Sequence, residues 1–173
     1  MTRRTFDPGQ CPVGRTLERV GDTWSLMILR DAFHGLSKFD QFEKSLGMAP
    51  NILTQRLAAL VEAGFLERRP YQDRPVRHEY LLTDLGRDFA PVMTALMAFG
   101  NRHFAVEGIA SQMVEAASGL PAEPVLVDRR TGLALDDARF TMAVGPAAGE
   151  VTRERMAWVA RRRDATLAAS TPS

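Results

Sequence analysis

Cysteine, histidine and long apolar runs are scarce in this chain of 173 residues, and each scarcity excludes a class of protein. Cys11 is the single cysteine, so an intrachain disulfide is excluded. One cysteine and three scattered histidines cannot build a familiar zinc site. No window approaches the roughly 18 apolar residues of a membrane span, and the start lacks the apolar core of a secretion signal. We therefore expect a cytoplasmic protein without a metal, a cofactor or a membrane segment.

Charge of one sign is also in short supply, because the formal net charge is only +1. That value does not indicate a nucleic-acid binder, but the distribution of charge matters more than its sum. Between residues 56 and 77, five arginines stand against three acidic residues. Because this basic excess is modest, useful affinity for DNA would need two copies side by side. The hydrophobic content of 45% is ordinary for a globular domain.

Residues 50–63 have the pattern of an amphipathic helix. Pro50 suits the first helical position and Gly64 lies just past the end. Apolar residues recur at helical spacing, and they are Ile52, Leu53, Leu57, Leu60 and Val61. The other face carries Asn51, Thr54, Gln55 and Arg56. Asn, Gln and Arg can bond bidentately to base edges, so the pattern favours a DNA recognition helix, although many solvent-facing helices share it.

The flanking segments decide between these two interpretations. The patterns predict a first helix from Pro12 to Val20, a second from Trp24 to Phe33 capped by Asp22 or Thr23, and a third capped by Ser37. Within them, Trp24, Phe39 and Phe42 are predicted to be core residues. Strands at 65–69 and 77–82, with a loop at 70–76 between them, predict a β-hairpin wing. The predicted fold is therefore mainly α with a small hairpin (α+β), a winged helix-turn-helix.

The second half of the chain divides into a helix and an extension. A helix from residue 83 to about 103 has more apolar surface than one domain needs, which indicates a second copy as its partner. We predict a DNA-binding and dimerisation domain at 11–104, a linker or helix at 105–124 and a small α+β extension at 125–168. The extension is predicted to hold short strands at 125–128, 132–135 and 139–144, and a final helix from 152 to about 167. Residues 170–173 are expected to fray.

Several motifs agree in order and spacing along residues 11–104. They are Cys11-Pro12, Gly21-Asp22-x-Trp24-Ser25-Leu26-x-Ile28-Leu29-Arg30, Ala49-Pro50-Asn51-Ile52-Leu53-Thr54-x-Arg56-Leu57, Leu60-x-x-Ala63-Gly64-Phe65-Leu66-Glu67-Arg68, Pro75-x-Arg77-x-Glu79-Tyr80-x-Leu82-Thr83 and Leu85-Gly86-Arg87. Together they resemble the HxlR-type winged helix-turn-helix family of bacterial transcription regulators. The resemblance implies a homodimer that pairs through the first and last domain helices. It also implies recognition helices in successive major grooves of double-stranded DNA, with wings on the flanking backbone or minor groove.

Two departures from the family pattern are visible. Ala49 stands where many relatives have a serine that can cap the recognition helix, so one backbone contact is in doubt. Some relatives end in a cysteine-bearing, zinc-ribbon-like module, whereas residues 125–144 here contain no cysteine. A metal in that region is therefore not expected.

The residues predicted to contact DNA come from the recognition helix, the start of the third helix and the wing. They are Ser37, Lys38, Pro50, Asn51, Thr54, Gln55, Arg56, Arg74 and Arg77. For Arg56, a phosphate contact and an ion pair between helices are both open. Arg74 is the stronger wing candidate, because Arg77 lies in a strand and can serve the fold through Glu79.

Two roles are open for Cys11. At the N-cap of the first helix, the helix dipole and Arg15 would both favour a thiolate. Relatives sense oxidants or electrophiles through a cysteine at this place, and the resemblance carries that role to Cys11. Alternatively, the cysteine is inert and packed at the dimer seam. Without a second cysteine, a disulfide must join two protomers or capture a small thiol.

The function predicted from the sequence is a homodimeric transcriptional regulator, a repressor rather than an activator, on a pseudo-palindromic operator with half-sites about one helical turn apart. Its effector is either an oxidant or electrophile acting on Cys11, or a small apolar ligand at the dimer seam. A winged-helix protein-interaction module is the alternative without specific DNA binding. An enzyme is not expected, because the region after Gly108 has no phosphate loop, metal-ligand spacing or nucleophile with a recognisable base.

Overall fold

The computed structural model describes residues 9–169, with side chains to residue 163, and in that part of the chain seven helices accompany one hairpin. The elements in order are α1 (Pro12–Val20), α2 (Thr23–Phe33), α3 (Phe39–Leu46), α4 (Pro50–Glu62), β1 (Leu66–Asp73), β2 (Val76–Leu82), α5 (Asp84–Asp88), α6 (Ala90–Phe104) and α7 (Glu150–Ala169). The expected fraying of residues 170–173 lies outside the described residues. The winged helix-turn-helix fold predicted from the sequence is confirmed.

Helix ends follow the local chemistry of their caps. Asp22 caps α2, since its Oδ1 accepts the Ser25 N–H at 3.1 Å. Gly47 ends α3 in the left-handed region at φ 61°, and Ala49 starts α4 without a side-chain cap. The sequence prediction that Ser37 caps α3 is wrong, because Lys38 occupies the cap position.

The side chain of Gln41 stabilises the start of α3 in place of Ser37. Its Oε1 accepts the backbone N–H of Ser37 at 3.0 Å and that of Lys38 at 2.9 Å. This is half of a capping box, in which a glutamine three residues into the helix reaches back to the cap. The Ser37 hydroxyl is left to face the hairpin.

The core lies where α2, α3 and α4 pack together and the base of the hairpin closes over them. Its fully buried side chains include Ile28, Leu29, Phe42, Leu53, Leu57 and Leu60. Phe42 is a core residue as predicted, and Phe39 is half-buried against the core. Trp24 is not a core residue, because its side chain is 39% exposed. The buried face of α2 runs through Ser25, Ile28, Leu29 and Ala32, and Trp24 lies about 100° away from the centre of that face.

The hairpin is longer than predicted. Strand β1 pairs antiparallel with β2 from Leu66 opposite Leu82 to Asp73 opposite Val76, with one irregularity between Pro70 and Gln72. The predicted loop at 70–76 therefore shrinks to Arg74 and Pro75, which a cis peptide bond joins. Strand pairing continues past Pro70, which the turn signal in the sequence did not allow for.

The single helix predicted from residue 83 to 103 is two helices. The chain breaks at Phe89, which is buried and meets the Phe65 ring edge to face at 5.6 Å between centroids. Pro91 supports a new start, since the first turn of a helix does not need its N–H.

The extension is less regular than the sequence predicted. The strands expected at 125–128 and 132–135 are reduced to a single bridge between Val127 and Ala134, and residues 139–144 form no strand. The expected final helix is present as α7, and Gly149 at its start donates its N–H to the Gln10 side chain at 2.5 Å. Among the described residues, no helix has the length and apolarity that crossing a membrane requires.

Candidate nucleic-acid interface

Helix α4 presents a polar and small-residue surface to solvent. Asn51, Thr54 and Gln55 are exposed, as the sequence predicted, while Leu53 and Leu57 on the other side are buried. Pro50 is exposed at the first helical position. The Thr54 hydroxyl donates to the Pro50 carbonyl at 2.8 Å, so its oxygen remains available as an acceptor.

Two alanines extend this surface. Ala58 and Ala59 are exposed, and Ala58 lies on the same helical stripe as Asn51 and Gln55. Small residues allow a helix to approach a groove closely, and alanine contacts the thymine methyl group in direct readout. Neither alanine was predicted from the sequence to face DNA. The interruption of the apolar pattern at positions 58 and 59 was the available signal.

Arg56 lies between helices. Its Nε is 3.3 Å from Asp22 Oδ1, across from α4 to the start of α2, although the angles do not make a hydrogen bond. Its side chain is 40% exposed. The sequence left open an ion pair between helices and a phosphate contact for Arg56. The structure contains the partner for the ion pair, and the exposed part of the guanidinium is still accessible to a phosphate.

The start of α3 is joined to the wing. The Tyr80 N–H donates to the Ser37 carbonyl at 2.7 Å, and the Ser37 hydroxyl lies 3.4 Å from Glu79 Oε2. The Lys38 ammonium lies 4.7 Å from the centre of the Tyr71 ring. Lys38 and the wing therefore form one surface, which includes Tyr71. The sequence did not predict a role for Tyr71.

The wing carries its arginines along both strands. Arg74 at the turn and Arg77 on β2 are both exposed. Glu79 pairs with Arg69, directly opposite in register, at 2.9 Å. The expectation that Arg77 serves the fold through Glu79 is therefore wrong, because residues two apart on a strand share a face but the directly opposite residue is closer. Arg77 stays a candidate for a DNA contact.

Cys11 caps α1, as the sequence predicted. Its sulfur accepts the Gly14 N–H at 3.4 Å, and the side chain is half-buried. This hydrogen bond, together with a weaker one from the Val13 N–H, lowers the pKa of the thiol, while desolvation opposes the change.

The cation that acts on Cys11 comes from the extension. The positive charge of Arg155, on α7, further lowers the pKa of the thiol. Arg15 was predicted from the sequence to act on the thiol, but its Nε donates to the Gly9 carbonyl at 2.9 Å instead. Sequence spacing could not reveal Arg155, because it approaches only through tertiary structure.

The described residues contain no cluster of three or more His, Cys, Asp or Glu side chains that could hold a metal ion. Their concave surface includes an apolar cavity of about 590 Å³ between α2 and α6. Two shallower depressions border the wing. The exposed surface of α4, the start of α3 and the wing together form the best candidate for a nucleic-acid interface, because they carry the exposed amide and basic side chains described above.

Known proteins of similar sequence and structure are transcription regulators. The HxlR-like helix-turn-helix family model matches residues 19–107. An HTH-type transcriptional regulator of Mycobacterium tuberculosis is 38% identical over 135 residues, which cover 78% of this chain and 85% of that protein. A transcription factor structure from Pseudomonas aeruginosa is 49% identical, covers 84% of this chain and 99% of its own, and has a TM-score of 0.61.

The redox regulator HypR is also similar in structure. Its reduced form is 27% identical, with a TM-score of 0.52, over 56% of this chain and 96% of its own.

Proposed function

This chain belongs to the HxlR-like helix-turn-helix family and is a transcriptional regulator with a DNA-binding fold, and we propose a specific mode of action for it. It acts as a homodimeric repressor on a pseudo-palindromic operator. Its recognition helices would enter successive major grooves, with half-sites about one helical turn apart. The residues proposed to contact DNA are Ser37, Lys38, Pro50, Asn51, Thr54, Gln55, Arg56, Arg74 and Arg77.

The observation that carries this proposal is the exposed surface of α4. Asn51 and Gln55 are one helical turn apart on the solvent side of a helix whose other side is fixed in the core by Leu53, Leu57 and Leu60. A rigid helix that presents amide side chains near its N-terminus has the chemistry of direct base readout.

Exposed apolar residues on α1 and α6 support the homodimer. On α6, Val92, Leu96 and Phe99 recur at helical spacing and are between 44% and 57% exposed. On α1, Val13 and Leu17 are one turn apart and are 65% and 55% exposed. A second copy is the simplest partner for two such stripes, and dimerisation would double the modest basic surface of the wing.

Two effectors are compatible with this design. The lowered pKa of Cys11 favours the thiolate, which is the form that reacts with oxidants and electrophiles, and the redox regulator HypR is a structural relative. The apolar cavity between α2 and α6 supports the other effector, a small apolar ligand near the dimer seam.

The regulator is tested by fluorescence anisotropy on a duplex from upstream of its own coding region, or on one selected from a random library. The variant Gln55→Ala should weaken binding to the specific duplex by about 5- to 150-fold, because a lost bidentate contact to a base costs about 1–3 kcal/mol. The matched control is Gln112→Ala, which changes an exposed glutamine in the segment after α6. Binding to a shuffled duplex should change little for either variant.

The alternative function is a protein-interaction module that uses the same fold. It predicts equal, weak binding to specific and shuffled duplexes and no effect of Gln55→Ala on capture of a partner. Equal affinity of the wild-type protein for selected and shuffled duplexes over a range of salt would overturn the repressor proposal.

A further inference from the structure

The cavity between α2 and α6 is a built pocket rather than a surface irregularity. Its volume of about 590 Å³ lies within the range of roughly 300–1,000 Å³ that is typical of small-molecule sites. Met27 and Phe33 form one wall on α2, Met93 and Met97 form the opposite wall on α6, and Met113 closes one end. Flexible thioethers of this kind adapt to ligands of varied shape.

The segment that closes the pocket is held in place by α6. The Asn101 side chain donates to the Ser111 carbonyl at 2.9 Å, so the chain returns beside the helix it has just left. Residues 113–121 then form a small loop, with the Ala122 N–H bonded to the Met113 carbonyl at 2.9 Å. The segment that follows α6, residues 105–124, therefore contributes to the lining of the pocket.

The pocket and the proposed dimer stripe adjoin on α6 and share Leu96, which also lines the pocket. With about 100° per residue, Val92, Leu96 and Phe99 lie within about 60° of one another. Met93 and Met97 lie about 120° away from the centre of that stripe. A second copy that covers the stripe would leave the pocket to a smaller occupant.

The ionisable side chains that line the pocket belong to basic residues. Arg30 and His34 line it, and none of its described lining residues carries a carboxylate. Arg30 donates from Nε and Nη2 to Asp31 Oδ1, at 2.9 and 2.7 Å, and from Nη1 to the Met27 sulfur at 3.5 Å. Two of the five guanidinium donors remain for another acceptor. The ion pair with Asp31 reduces the net charge, so recognition would rest on hydrogen bonds as much as on charge.

We propose that this pocket binds a small apolar carboxylate, with its hydrocarbon body between the methionine walls and its carboxylate at Arg30 and His34. The two remaining guanidinium donors of Arg30 select a hydrogen-bond acceptor such as a carboxylate over a cation, and the apolar walls select a hydrocarbon body over a sugar or a nucleotide. The dipole at the C-terminal end of α2 opposes an anion, but a screened terminal dipole is weaker than a direct charged hydrogen bond.

Occupation of the pocket would affect both ends of the regulator. Helix α2 packs against the recognition helix α4, and α6 carries the proposed dimer stripe. A ligand that separates α2 from α6 would therefore change the angle between paired recognition helices. This regulatory role rests on the proposed function, whereas ligand binding itself does not.

The test is isothermal titration calorimetry of the full chain, without DNA, with 2-naphthoate and with the neutral analogue 2-naphthalenemethanol. We expect 2-naphthoate to bind at least tenfold more tightly than the alcohol. Met97→Trp, which fills the pocket, should abolish binding, whereas Met142→Trp makes the same change on an exposed residue of the extension and should preserve it. His34→Ala should weaken naphthoate binding severalfold and leave the alcohol unaffected. If Met97→Trp does not fold, Thr94→Phe on the same wall replaces it.

Failure to bind 2-naphthoate, or equal affinity for the alcohol, would overturn the proposed ligand class. Equal binding by the two tryptophan variants would place the ligand elsewhere. If the affinity for 2-naphthoate falls at protein concentrations at which the dimer forms, the pocket is occupied by a second copy instead. Repeating the anisotropy assay with saturating naphthoate separates the two proposals. An unchanged operator affinity would overturn only the regulatory role, and a lack of specific DNA binding would overturn only the regulator.

Discussion

Gly86 allows α5 to lie against the base of the wing, and its replacement tests how that wing is held. A Cβ atom at position 86 would lie 2.2 Å from the Phe65 carbonyl oxygen and 3.1 Å from Leu82 Cδ2. Because ordinary carbon–oxygen contacts are about 3.3 Å or longer, the two backbone segments must separate by about 1 Å. The same carbonyl accepts the Thr83 N–H at 3.1 Å, so the separation also strains the junction between β2 and α5.

The expected cost of Gly86→Ala follows from these contacts. Overpacking costs about 1–3 kcal/mol, and weakening a backbone hydrogen bond costs about 1 kcal/mol more. The better helix propensity of alanine recovers up to about 1 kcal/mol. The free energy of unfolding should therefore fall by about 2–3 kcal/mol. The matched change Gly100→Ala, in α6, meets nothing within 4 Å and should raise it by about 0.5–1 kcal/mol.

Urea unfolding, followed by far-ultraviolet circular dichroism at one fixed protein concentration, measures both changes. In native buffer, Gly86→Ala should also weaken operator binding, because the wing is displaced at its base, while Gly100→Ala should not. If the two variants had equal stability, or if Gly86→Ala lay within about 0.5 kcal/mol of the wild type, the close contact would not be what fixes the wing.

Three further predictions concern the cap of α2, the thiol and the dimer. Asp22→Ala should lower the free energy of unfolding by about 1 kcal/mol, whereas Asp22→Asn, which keeps a cap acceptor, should lose less in the same urea assay. The rate of Cys11 alkylation by iodoacetamide should rise with pH at a midpoint below that of a free cysteine, and Arg155→Gln should raise that midpoint more than Arg155→Lys does. Because the folded-state pKa of Cys11 is lowered, the thiolate stabilises the fold above the unfolded-state pKa, and this contribution is lost as pH falls through the folded-state pKa. Phe99→Glu should convert the dimer to a monomer in sedimentation equilibrium, while Leu135→Glu, in the extension, should leave the dimer intact.

The candidate DNA-binding surface was predictable to the extent that it follows from helical periodicity. The exposure of Asn51 and Gln55 was predicted because a helix with one apolar face must turn the other to solvent. The partners of Arg56 and Glu79 were not predictable. Asp22 approaches Arg56 from another helix, and Arg69 meets Glu79 through a strand register that only the completed hairpin fixes.

The sequence by itself determined the order of α1 to α4 and the hairpin, the caps of α1 and α2 and the amphipathic pattern of α4, because these depend on residues within a few positions of one another. Tertiary structure decided what depends on distant residues. It placed Arg155 beside Cys11, exposed Trp24, broke the helix at Phe89 and built a pocket from α2, α6 and the returning chain. A local pattern specifies which side of a helix is apolar, but the packing of whole elements determines what that side touches.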